Sequence, residues 1–187
     1  MDYKSKIVEL LKNNMTERSF LLWNGINRIL PDIWNKPTSS TGKYHKKMNG
    51  ETSTQAEHVY QMLYTAIKII KIFNIDLNTI ECDKILFAIA LHDSLKYGNL
   101  GSRLHTDIKH DREAADMIAS NKEAFLKIFD EKQFTVLEEM VRFHSGHWST
   151  DLKHIDFPFD RMSKESLFIH ILDVMSSKDL IQTDIRE

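Results

Sequence analysis

The sequence predicts an all-α protein, a compact helical bundle. Three observations carry this. Glycine and proline are scarce, at six and three in 187 residues, so few positions interrupt a helix. Alternating runs of β-branched residues are rare. Apolar residues recur instead at three- and four-residue spacing along most of the chain. The length suits a single domain over residues 1–187, and an apolar content of 42% is enough for a real core.

Residues 3–13 place Ile7, Leu10 and Leu11 on one helical face, and Asn13-Asn14 breaks the pattern. Thr16-Glu-Arg-Ser opens a second helix that carries Phe20, Leu21, Trp23, Ile26 and Ile29-Leu30, and Pro31 ends it. Residues 1–31 read as a helical extension of a core over 54–180. The stretch 31–55 is irregular and rich in turn residues, with Lys43, Lys46 and Lys47 making it locally basic. A loop of that length in a compact domain is often functional.

A helix from near Thr54 to about Phe73 follows, with Val59, Leu63, Ala66, Ile67 and Ile70 on one face and His58 at its border. After a break capped by Asn78 or Thr79, Ile80–Leu95 forms the central helix. Tyr97–Ser102 is a loop, and a helix from near Asp107 puts His110, Ala114 and Met117 on one face. Short helical residues 123–129 precede a helix over 131–143 striped by Phe134, Leu137, Met140 and Val141. Residues 149–162 are irregular. Ser163 opens the last helix, whose apolar run encloses Asp173. Trp148 is expected in the core.

A net charge of −2 gives no argument for nucleic-acid or membrane binding, and a long nucleic-acid track is disfavoured. No apolar run approaches the ~20 residues that span a bilayer. Cys82 is the only cysteine, which excludes an intramolecular disulfide and a thiolate zinc site and fits a reducing cytoplasm. The start of the chain leads into a mixed helix rather than an apolar signal region.

The anomaly is where charge and imidazole fall. The apolar run Ile85–Leu91 passes straight into His92-Asp93, with Lys96 three residues on. Buried charge is costly unless it is paired or binds a metal. His58, His110, His144 and Asp173 also lie at helix ends or inside helices beside apolar neighbours. Each alone is a weak signal, and His58 by itself reads as a surface or core residue before a ligand. Together they form a candidate ligand set of imidazole and carboxylate without thiolate, suited to Mn, Fe, Co, Ni, Zn or Mg. Four such groups hold one ion; six, with a bridging carboxylate, hold two ions ~3.5–4 Å apart.

This order resembles the HD-domain superfamily of metal-dependent phosphohydrolases. The family pattern is a His near one helix start, a His-Asp pair ending the next helix and a distant Asp, matched here by His58, His92-Asp93 and Asp173. A two-metal subset adds two histidines, matched by His110 and His144. Pro37-Thr-Ser-Ser-Thr-Gly-Lys-Tyr-His45, His144-Ser-Gly-His-Trp148 and His170-Ile-Leu-Asp-Val-Met-Ser-Ser-Lys178 are similar to motifs of a phage and bacterial subgroup. The family's Gly-Gly-Leu before the first ligand is Thr54-Gln-Ala-Glu here, and His147 stands as an alternative ligand to His144.

The resemblance implies an all-α bundle with ligands pointing inward and Asp93 bridging two divalent ions. His58, His92 and Asp173 would bind one ion, and His110 and His144 the other. It implies a cytoplasmic hydrolase of a bacterium or an infecting phage, acting on a small phosphorylated substrate such as a nucleotide. Asp93 would help take a proton from the attacking water, and Lys96, about one turn on, would balance charge on a phosphate. Lys43, Tyr44 and His45 would contact substrate; Arg142 or Lys178 could assist, and His170 would support a ligand. Cyclic-nucleotide phosphodiesterase and 3′-end exonuclease activities fall within the same reading. A di-iron oxygenase with the same ligand order and a regulatory module with a structural metal are the alternatives.

Overall fold

The computed structural model describes residues 2–39, 52–152 and 158–178. Its helices are α1 (Tyr3–Asn14), α2 (Glu17–Ile29), α3 (Gln55–Ile72), α4 (Ile80–Leu91), α5 (His110–Ser120), α6 (Lys122–Phe125), α7 (Glu131–Arg142) and α8 (Lys164–Ser177). Single 3₁₀ turns cover Gly146–Trp148 and Pro158–Arg161. No strand occurs among the described residues; Pro37 and Thr54 form an isolated bridge. The all-α class holds. Among the described residues, no helix is long and apolar enough to cross a membrane.

Side-chain caps set several helix starts. Thr16, Thr54, Thr79 and Ser163 each accept from the backbone N–H three residues on, satisfying a donor the helix leaves unpaired. Asp130 and Gln133 form a reciprocal capping box on α7.

From Ile85 on, α4 is apolar all round, and Leu86–Leu91 are buried, as the core part of a helix must be. It packs against α3, α7 and α8, and α3 and α7 each pack on α8, so these four close a ring. Helix α5 lies on α7, α1 on α3 and α2 on α4. Ile7, Leu11, Trp23 and Ile26 belong to the same core cluster as Leu86 and Leu137. The buried Asp83 of α4 ties this end down, accepting from Thr16 N–H at 3.0 Å and Thr16 Oγ1 at 2.5 Å.

Three expectations need correction. The central helix stops at Leu91, not Leu95, because i→i+3 bonds from Ser94, Lys96 and Gly98 tighten the next residues into turns. Helix α5 starts at His110, since residues 103–109 are held as a loop by Asp107 N–H on Lys96 O (2.7 Å) and an Arg103–Asp107 ion pair. Trp148 is 71% exposed, carried outward by the 3₁₀ turn that begins at Gly146.

Candidate metal centre

The ring of α3, α4, α7 and α8 brings four chain segments to one buried point. His58 comes from the first turn of α3, His92 and Asp93 from just past α4, His144 from just past α7 and Asp173 from α8. The first residue of α5, His110, completes the group. His58 and His92 are 0% exposed, His144 1% and Asp93 3%.

Every one of the four clustered histidines is held by its Nδ1. His92 donates to Ile89 O (2.8 Å), His110 to Asp107 O (2.7 Å) and His144 to Val141 O (2.7 Å). His58 Nδ1 lies 2.8 Å from Ser176 Oγ, whose own hydrogen goes to Gln61 Oε1 at 2.9 Å. A carbonyl can only accept, so the proton sits on Nδ1 and the lone pair on Nε2.

The four Nε2 atoms fall into two pairs. His58 and His92 are 3.1 Å apart, and His110 and His144 3.2 Å. Asp93 lies between the pairs. Its Oδ1 is 3.1 Å from His110 Nε2 and 3.5 Å from His144 Nε2. Its Oδ2 is 3.5 Å from His92 Nε2, 3.8 Å from His58 Nε2 and 2.6 Å from Lys96 Nζ. Asp173 Oδ1 is 3.2 Å from His58 Nε2. Facing lone pairs repel, and Asp93 Oδ1 is buried with no hydrogen-bond partner.

The electrostatics point the same way. Burial lowers the pKa of His58 and of His110, so neither readily supplies the missing proton. Burial works to raise Asp93, but Lys96 and His92 hold it well below the usual carboxylate range. Asp173 is likewise opposed by burial and drawn down by His58. His144 differs: burial opposes its charge, but Asp93 raises its pKa, and Ser145 Oγ lies 3.2 Å from its Nε2. Two carboxylates and four imidazoles thus converge on a buried point that could hold a cation.

The donor set fits a metal. Two imidazole nitrogens about 2.1 Å from one ion, at octahedral or tetrahedral angles, lie about 3.0–3.4 Å apart. Both observed pairs fall in that range. His58, His92 and Asp173, and likewise His92, Asp93 and His144, could each hold a metal ion.

All six sequence-predicted ligand positions meet here, with Lys96 beside Asp93. His144 rather than His147 joins the cluster; His147 is exposed in the turn beyond. His170 donates from Nδ1 to His144 O (2.8 Å), supporting the backbone of His144. Arg142 instead pairs with Asp116, Glu138 and Asp151. Lys43, Tyr44 and His45 lie outside the described residues, as does His154.

Sequence reasoning missed Ser176 and Gln61, which orient His58, and Asp111. The buried Asp111 accepts from Thr150 N–H (2.7 Å) and Oγ1 (2.8 Å), fixing the segment after His144. Ser176 stands three residues after Asp173, a spacing that keeps it on Asp173's side of α8; that was its only signal.

A helical fold around a buried His/Asp cluster is compatible with the HD type. No protein family, no curated protein and no solved structure matches the chain.

Proposed function

We propose that this protein is a metal-dependent phosphohydrolase of the HD-domain type, holding two divalent ions and cleaving a nucleotide or related phosphate ester or anhydride. The observation that carries the proposal is the split of Asp93 between two imidazole pairs whose Nε2 atoms stand at single-ion spacing. His58, His92 and Asp173 with Asp93 Oδ2 would hold one ion, and His110 and His144 with Asp93 Oδ1 the other. Bound ions supply a Lewis acid for a phosphoryl oxygen and lower the pKa of bound water towards ~7.

The chain's own groups do the rest. With its pKa held down by Lys96 and His92, Asp93 is a permanent anion and so an anchor more than a proton acceptor. Lys96 is 11% exposed and within 2.6 Å of Asp93, so its ammonium is placed to balance charge on a phosphate at this point. The more open members are Asp173 at 20% and His110 at 14%, which marks their side as the approach for substrate.

The test is metal analysis of purified protein, then phosphate release from nucleotides, cyclic dinucleotides and short oligonucleotides with Mn or Mg. Activity that disappears in His92→Ala and Asp93→Ala is expected. Release by both variants at the wild-type rate would end the hydrolase reading. Oxygen consumption by an iron-loaded form would favour a di-iron oxygenase.

A further inference from the structure

One helical turn before His58 lies a polar group that the metal cluster does not use. Gln55, the first residue of α3, is 1% exposed, and neither its Nε2 nor its Oε1 has a hydrogen-bond partner. Ser94 Oγ, one residue past Asp93, is also buried and unpartnered. Both line a small cavity with Asn27, Ile33, Trp34, Val59 and Asp93. Gln55 stands in the stretch Thr54–Glu57, where the sequence departs from the HD-domain pattern.

A buried amide left unpaired costs free energy, so an occupant is called for. The cavity offers about 20 Å³ to water-sized centres, which suits one water or one heavy atom of a ligand. A carboxamide and a hydroxyl both donate and accept, so they match a group that does the same. A phosphate oxygen only accepts, and the Asp93 charge on the same cavity wall repels it.

We propose that Gln55 and Ser94 form a specificity subsite that takes one neutral hydrogen-bonding group of the substrate, a hydroxyl or an amino group, beside Asp93. This rests on the phosphohydrolase reading above. In the free protein a water would fit the position, and a substrate that reproduces its hydrogen bonds would displace it without loss.

The experiment uses metal-loaded full-length protein and matched nucleotide pairs that differ by one group: ribo- against 2′- and 3′-deoxyribonucleotides, and adenine against unsubstituted purine. Wild type is expected to prefer the bearer of the group in one pair by ~100-fold or more in kcat/KM. Gln55→Met keeps the length and removes the amide. It should bring that ratio within ~10-fold by raising KM for the preferred substrate. Ser94→Ala should act in the same direction. Metal content and melting temperature of Gln55→Met should match or exceed wild type, because an unpaired buried amide is gone. No preference in wild type, or a preference that survives in Gln55→Met, overturns the proposal. If wild type hydrolyses nothing, calorimetric binding of the same pairs reads the same ratio, so failure of the hydrolase reading is seen separately from failure of the subsite.

Discussion

The Nε2 atoms of His58 and His92 face each other at 3.1 Å, while each ring's Nδ1 is engaged elsewhere. His92 has its proton on Nδ1, engaged with Ile89 O; His58 has its own engaged with Ser176. A metal cation between them would make this contact attractive.

The Ser176 hydroxyl should therefore matter for metal rather than for folding. It is 4% exposed and links His58 to Gln61. Partners of this kind typically change metal affinity 10–100-fold. Ser176→Ala is expected to weaken metal binding in that range, measured by competition with a chelator, while helical content stays at wild type. Unchanged affinity would show that His58 needs no such support.

Metal uptake should fall from pH 7.5 to pH 5, and the fold should lose the His58 and His110 contributions over the same range. His58 and His110 have pKa values lowered from 6.5 by burial. Below 6.5 the unfolded chain takes up protons that the folded chain refuses, so their contribution is whole above that pH and shrinks as pH falls. His144 is opposed by burial, but the Asp93 carboxylate beside it raises its pKa, so its contribution is whole below 6.5 and is lost as pH rises through the raised value. Asp93 and Asp173 are lowered from 3.8, so they add nothing to the change in this window and matter only in stronger acid. Melting curves with and without Mn across pH 5–8 check this. The protection given by Mn should shrink fastest, because protonated Nε2 cannot bind.

Asp111 is a structural anchor for the segment behind His144. Burial pushes its carboxyl up, but bonds from Ser149 and Thr150 outweigh this and lower its pKa. Asp111→Ala removes the carboxylate that Thr150 N–H and Oγ1 share and should cost about 1–3 kcal/mol in denaturant unfolding. Asp111→Asn, which keeps one acceptor, should cost less.

Gly146 is required twice over. Its φ is +56°, and a Cβ there would lie 2.3 Å from His170 Cε1. Left-handed backbone alone costs about 1–2 kcal/mol in a residue with a side chain. Gly146→Ala should lose more than that in thermal unfolding, and should weaken metal binding because His170 supports His144 O.

Most of the fold was legible because its signals are local. Apolar spacing and capping residues gave each main helix, and the apolar Ile85–Leu91 run marked α4 as central. What was not legible depends on tertiary contact. The stop of α4 at Leu91 reflects i→i+3 turns that propensity does not announce. Trp148 looked like a core residue by chemistry but rides outward on a turn. At the site, the residues that cluster were visible as charge where charge is costly. Ser176, Asp111 and Gln55 were not, since a buried hydroxyl, carboxylate or amide is unremarkable in sequence until its partner, or its lack of one, is seen.

The central claim is that Asp93 joins two ion sites. Its most direct test is metal stoichiometry by elemental analysis after loading with Mn near pH 7.5. The account predicts two ions per chain, one in a His110→Ala, His144→Ala double variant, and none held tightly in Asp93→Ala. A wild-type stoichiometry of zero, or an Asp93→Ala protein that keeps the wild-type content, would contradict it.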